Sequence, residues 1–392
     1  MSRPNLGMWL PLVGLAFAAF MFNTSEFMPV GLLTDIAGSF RLSEAQAGMM
    51  ISIYAWAVML LSLPLMMWGS RLPMRTLLLL VIGLFLAGQA ASAVAPTFPL
   101  LVVARLLVAA AHAVFWSIAS PLATRVADDR HAATAMSMVV TGSSVAMIFG
   151  MPLGRVIGLA VGWRMTFACV GAVALCVLLL MAAVMPRLEK GEPFTLAQMP
   201  TLLRNRSLMA IYAVTILAAT GYYTGYSYVE PFLQQVASLA DGTITAALMA
   251  FGCAGIVGSL LFSRFYDGHR TSFSRVMLAG LALALLLMAV TGIAPMAAFG
   301  VCFIWGLSAT AFNVAFQAEI IRVTPPDASA VAMSIFSGLF NLGIGCGTWL
   351  GGMVTDSIGI GQVGLVGGVI AVLAFIACCA TMGKRAFPAA RA

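Results

Sequence analysis

Charge is what this sequence has least of. Only 8% of its 392 residues are Asp, Glu, Lys or Arg, while 62% are hydrophobic. A soluble domain carries roughly a quarter charged residues. No water-soluble globule could cover so much apolar surface, so the bilayer must be part of the solvent. Histidine is scarcer still, with His112, His131 and His269 alone. No Gly-rich loop with a Lys is present to cradle nucleotide phosphates, which argues against a chain that powers itself with ATP. No Ser/His/Asp arrangement or membrane-enzyme signature occurs, so the chain is not expected to be an enzyme. The seven cysteines (Cys169, Cys176, Cys253, Cys302, Cys346, Cys378 and Cys379) all lie in apolar runs, none with metal-type spacing. They read as small packing residues. No metal and no cofactor is expected.

What is present is a repeated apolar run of the length a bilayer requires, about 20 residues. Twelve such blocks follow one another at 8–33, 45–69, 76–95, 98–123, 133–158, 163–186, 208–234, 243–266, 274–294, 297–321, 328–354 and 362–383. The expected fold class is an all-α membrane protein. The net charge of +7 does not point to nucleic acid, because the basic residues fall in short turns between the blocks. They alternate in the manner of the positive-inside rule. Arg71, Arg75, Arg125, Arg130, Arg187, Lys190, Arg204, Arg206, Arg264, Arg270, Arg275 and Arg322 share one side with the termini. Arg41, Arg155 and Arg164 flank turns on the other. Both termini are therefore expected in the cytoplasm, with the first block an uncleaved span.

The longest polar interval, "PRLEKGEPFTLAQMPTLLRNR", divides the chain almost in half. The expected organisation is a bundle over 1–186, a cytoplasmic linker over 187–206 and a second bundle over 207–392. The halves echo each other. Span 1 has Glu26 with Pro29 close behind, and span 7 has Glu230 with Pro231. Spans 5 ("TGSSVAMIFGMPLGRVIG") and 11 ("SGLFNLGIGCGTWLGG") are both crowded with glycine. Such symmetry suits two pseudo-symmetric six-helix bundles facing a substrate path.

Ionisable residues inside spans are costly, about 2.5–3.5 kcal/mol at a helix centre by insertion scales, and are functional candidates by default. The stretch "FNTSEFMPVG" holds Glu26, which can take a proton from one side and release it to the other; the plainer reading is a carboxyl that ties helices together. Arg105 and His112 lie seven residues apart in span 4, on one helical face that Trp116 continues. With Glu26 they are the expected proton-coupling residues. Asn23, Phe115, Trp116, Tyr223, Tyr226, Glu230, Asn313, Gln317, Phe340 and Asn341 are the candidate substrate-binding residues. Tyrosines suit a sugar, which offers apolar C–H faces and many hydroxyls, and equally suit an interfacial belt. Amides in a span must find hydrogen-bond partners. Glu319 reads as a surface pair with Arg322.

These features resemble the major facilitator superfamily over the whole chain. The loop "GSRLPMR" is similar to its Gly-rich basic loop, with Ser70 where Asp is usual. Arg105 matches the Arg of the span 4 motif, and "GMPLGR" resembles the span 5 motif of antiporters. More narrowly, "FNTSEFMPVGLL", "AHAVFWSIASPLATR", "GWRMTF", "YSYVEPF" and "FSGLFNLGIG" resemble the sugar efflux transporter group of proton antiporters. Tyr222 stands where that group usually has His. The resemblance implies proton-driven export of sugars such as arabinose and galactosides, with Glu26 and His112 as cavity residues. It implies protons, a small-molecule sugar and membrane lipid as partners, no nucleic acid, a monomeric state and the bacterial inner membrane. A multidrug or amphenicol:proton antiporter could use the same aromatic, Met-rich spans, and a transporter-like membrane sensor is the alternative of another class.

Overall fold

A computed structural model describes residues 6–128, 130–188, 199–325 and 328–381. The described secondary structure is helical. Helix α1 (Leu6–Phe27) passes through a 3-10 segment, Met28–Leu32, into α2 (Leu33–Phe40). Then come α3 (Glu44–Gly69), α4 (Met74–Val94), α5 (Phe98–Val126), α6 (Ala132–Val161) and α7 (Trp163–Val184). A short α8 (Met199–Arg204) leads to α9 (Arg206–Tyr226), α10 (Val229–Gln235), α11 (Asp241–Leu286), α12 (Ala297–Val323), α13 (Ser329–Ile358) and α14 (Val363–Thr381). Lys190, Arg3 and the basic residues after Thr381 fall outside the described residues, as does 189–198 of the expected linker.

Among the described residues, eleven helical stretches are long and apolar enough to cross a bilayer. One of them, Asp241–Gly292, has 52 residues. At 1.5 Å per residue it would reach about 78 Å, more than twice a hydrocarbon core of roughly 30 Å. His269 interrupts it with φ −139° and ψ 36°. Non-helical backbone there turns one stretch into two spans, and the total becomes the expected twelve.

The chain forms two compact units. The first comprises Met1–Ile36 and Ala57–Thr195; the second comprises Ala37–Trp56 and Leu196–Ala392, so the first turns of α3 belong to the second unit. Each unit is built on one glycine-lined helix pair. In the first, α6 lies along α1. A Cβ added at Gly142, Gly150, Gly154 or Gly158 would strike Ala16, Thr24, Met28 or Leu32 respectively. The partner is always 126 positions earlier, so the helices run parallel in a constant register. In the second unit, Gly343, Gly347 and Gly351 of α13 meet α9 around Ala219, Tyr223 and Thr224 in the same way. Glycine permits this because lipid tails give helices no hydrophobic reason to associate, and close backbone packing must supply the attraction.

The helix ends repeat the correspondence. Gly162 follows α6 with φ +91° and Gly359 follows α13 with φ +96°, conformations a side chain would strain. The Arg75 guanidinium donates to the Ala182 carbonyl at the end of α7, 2.6 Å, and that of Arg275 donates to Cys379 near the end of α14, 3.2 Å. A cation at a helix C-terminus fills orphan carbonyls and offsets the negative end of the dipole. Ser70 of the basic loop keeps its hydroxyl local, on the Met67 carbonyl. Two glycines, Gly221 of α9 and Gly367 of α14, bring backbones into direct contact. A Cβ on Gly221 would lie 2.7 Å from the Gly367 carbonyl oxygen, and one on Gly367 would lie 2.6 Å from that of Gly221. Gly221→Val should therefore destabilise the protein by about 1–3 kcal/mol, the usual cost of overpacking. Thermal unfolding in detergent would show it; an unchanged midpoint would mean these helices can separate freely.

Candidate functional site

Pro29 organises the first unit's polar centre. In a continuous helix the Ser25 carbonyl would accept the N–H of residue 29, and proline has none. Helix α1 accordingly stops at Phe27 and tightens to 3-10 geometry. The freed Ser25 carbonyl, buried away from water, needs another donor. Arg105 of α5 supplies it: one guanidinium nitrogen donates to the carbonyl at 2.8 Å, a second to the Ser25 hydroxyl at 2.9 Å. Gln89 of α4 donates to the same hydroxyl. One turn further on, the Arg155 guanidinium of α6 donates to the Gly31 carbonyl at 2.9 Å. Arg155 was expected to flank a turn, yet it is fully buried within α6. The glycines of α6 bring its backbone close enough to α1 for the guanidinium to serve the 3-10 carbonyls instead of reaching water.

The break presents Glu26 to α5. Its Oε2 lies 3.8 Å from Nε2 of His112, with the two side chains 15% and 5% exposed. That separation is ion-pair range but too long for a direct hydrogen bond. The His112 ring lies 6.0 Å from Trp116 and 6.1 Å from Phe22. Phe22 in turn stacks on Phe115 at 4.2 Å and 7°, so Phe115 is closed in by Phe22 and, edge-on, by Trp116. Trp116 is half-buried. The Asn23 amide donates to the Ser143 hydroxyl of α6 at 2.5 Å, a contact between helices. Arg105 also lies 5.6 Å over the Phe167 ring of α7. The structure thus gathers Asn23, Glu26, Arg105, His112, Phe115 and Trp116 in one region, and places Arg105 against backbone.

The second unit holds the remaining candidates. Its counterpart break falls after Tyr226, where Pro231 withholds an N–H from the Ser227 carbonyl. Here the clamp is neutral. The Ser227 and Thr348 hydroxyls lie 2.6 Å apart, and the Tyr228 hydroxyl donates to the Thr348 carbonyl at 3.0 Å. Glu230 is buried in the first turn of α10. Tyr222, Tyr223 and Tyr226 form a cluster with ring separations of 4.5–5.6 Å. Trp305 of α12 closes it, 5.9 Å from Tyr222 and 6.0 Å from Tyr226. Tyr223 meets Phe340 at 6.1 Å. The Asn341 amide donates to the Ser337 carbonyl of its own helix at 3.0 Å. Asn313 and Gln317 bond each other along α12 at 2.5 Å. Among the described residues, the Asn341 Oδ1 and Trp305 Nε1 atoms are buried without a hydrogen-bond partner.

Glu319 departs from its expected place. It is 1% exposed and pairs with Arg270, whose Nε donates to Oε1 at 2.7 Å, and with the Tyr266 hydroxyl. Arg322, its expected partner, instead meets Asp267 at 3.5 Å. The reason is phase. Glu319 lies on the face of α12 that packs against α11, whereas Arg322 is exposed. Gln89, Ser25 and Trp305 were not among the expected site residues, and Arg155 was expected only at a turn. Gln89 carried a usable signal, an amide in the otherwise apolar "LFLAGQAASAV", as did Arg155, a cation inside the block 133–158.

No group of His, Cys, Asp or Glu among the described residues could hold a metal ion. Many apolar spans, two units each organised around a broken helix, and buried titratable groups within the spans are what a membrane transporter needs. The chain belongs to the Major Facilitator Superfamily, whose family model matches residues 15–331. Solved structures agree in fold. A bacterial homolog of the human lysosomal transporter Spinster, inward-facing and unoccupied, matches with TM-score 0.78 at 16% identity, over 97% of this chain and 98% of that one. A peptide transporter, POT, in complex with alafosfalin matches with TM-score 0.75 at 13% identity, over 97% and 94%. The human organic anion transporter TETRAN matches with TM-score 0.68 at 14% identity, over 96% and 100%.

Proposed function

We propose that this chain is a proton-coupled exporter of sugars, arabinose, galactosides and related glycosides among them, of the sugar efflux group. It works by alternating access, as a monomer in the bacterial inner membrane with both termini in the cytoplasm. The observation that carries the reading is the Glu26–His112 pair, a carboxyl and an imidazole 3.8 Å apart inside the spans, on a helix broken at Pro29. Glu26 accepts a proton from the outer side and becomes cheap to bury. It releases the proton inside, which readies the protein for sugar. His112 shares the proton and Arg105 holds the backbone beneath.

The sugar side rests on the second unit. Tyrosine rings offer flat apolar faces to C–H groups and hydroxyl tips to polar ones. Trp305 Nε1 and Asn341 Oδ1 are a donor and an acceptor without partners among the described residues, the two kinds of group that sugar hydroxyls bond. Counterflow and pH-gradient assays in proteoliposomes, with a panel of pentoses, galactosides and chloramphenicol, test this. Sugar counterflow coupled to a pH change is expected. Chloramphenicol counterflow without sugar counterflow would make it a drug antiporter, and no substrate-dependent pH change would return the sensor reading.

A further inference from the structure

We propose that Gln89 is a positioning residue of the proton site, acting through Ser25 on Glu26. The inference rests on Glu26 being the proton carrier. Ser25 and Glu26 are consecutive, so whatever holds the peptide of one sets the Cα of the next. The usual intrahelical tie at Ser25 is missing because of Pro29. Arg105 of α5 replaces it at the carbonyl, and the Ser25 hydroxyl beside it takes donors from both Arg105 and Gln89 of α4.

Gln89 is an odd choice for a merely structural role. It is wholly buried, and its Oε1 has no hydrogen-bond partner among the described residues. A buried acceptor left unsatisfied is destabilising, and an apolar side chain of similar size would avoid that. Packing alone would therefore favour Leu or Met. What an apolar residue could not do is engage the Ser25 hydroxyl. Arg105 occupies one lone pair of that hydroxyl, and the Gln89 amide determines how the rest of the group is used. Gln89 thereby fixes the hydroxyl from a second helix, while Arg105 holds the peptide. The charged or titratable groups facing this turn are His112 and Arg105 on α5. On α6, Arg155 reaches Gly31 a turn away, and α7 presents Phe167 to Arg105. No charge on α4 acts here; Gln89 is its contribution.

The test compares full-length wild type with Gln89→Leu, Gln89→Met and Ser25→Ala in proteoliposomes, measuring initial rates of proton-driven sugar export across a pH series, alongside thermal unfolding in detergent. Each substitution is expected to displace the midpoint of the pH profile by about one unit, the scale on which moving the Glu26 carboxyl relative to His112 and Arg105 changes its interaction with charge. Gln89→Leu and Gln89→Met should leave the unfolding midpoint unchanged or raise it. Unmoved pH midpoints in the Gln89 variants overturn the proposal, whether or not stability falls. Glu26→Gln serves as the control. If it keeps the wild-type pH profile, Glu26 is not the carrier and the proposal falls with that reading. If it flattens the profile while the Gln89 variants match wild type, the positioning role alone is wrong.

Discussion

Glu26→Gln is expected to leave sugar exchange intact while abolishing export against a gradient. Glutamine keeps the size and a carbonyl acceptor toward His112, so the fold and the aromatic wall of Phe22, Phe115 and Trp116 should persist. It cannot exchange a proton. In counterflow, where no net proton movement is required, the variant should run at a rate comparable to wild type. Under an imposed proton gradient, accumulation should collapse. One proton crossing 100 mV releases roughly 2.3 kcal/mol, and every 1.4 kcal/mol supports a tenfold gradient, so the loss is about fortyfold in attainable ratio. Uphill export at the wild-type level by Glu26→Gln would rule the mechanism out.

Glu319→Ala is expected to be the most destabilising single change in the second unit. The carboxylate is enclosed and receives donors from Arg270 and Tyr266, and removing it takes a bidentate acceptor away from a largely buried guanidinium. Breaking a buried pair from one side costs about 3–5 kcal/mol, because the remaining charge loses its compensation. Replacing both partners with apolar residues is far milder for the same reason. The measurement is a double-mutant cycle in detergent with Glu319→Ala, Arg270→Met and the double substitution. A double substitution less stable than Glu319→Ala alone would show that Arg270 keeps another anchor once the carboxylate is gone. By contrast, Arg322→Ala should change little, since Arg322 and Asp267 are both exposed at 3.5 Å and surface pairs contribute roughly 0–1 kcal/mol.

Glu26 and Glu319 differ in how far their contacts could be placed from sequence. Glu26 stood out because a carboxylate inside an apolar run is expensive wherever the helix points. Its His112 partner was in reach because both had to avoid lipid. Glu319 sits near the end of its run, where three residues separate a lipid-free face from an exposed one. Sequence distance to Arg322 was a poor guide, and the face buried against α11 chose Arg270 instead. Arg105 shows a third case. Its place inside a span was visible, but one of its contacts is a backbone carbonyl, and a free carbonyl leaves no mark except the proline four residues on.

Composition and run length alone required a helical, many-spanning membrane protein. Water-free hydrocarbon admits few other backbones, and apolar length maps directly onto the number of crossings. The glycine-rich spans and the paired Glu–Pro breaks likewise announced an internal repeat. Contacts between distant segments were another matter. That Arg105 and Gln89 meet at Ser25, that the glycines of α6 match α1 at a constant 126-residue offset, and that Trp305 closes the tyrosine cluster all depend on helix rotation and register. Those are settled by packing summed over whole helices, and no local stretch of sequence encodes that sum.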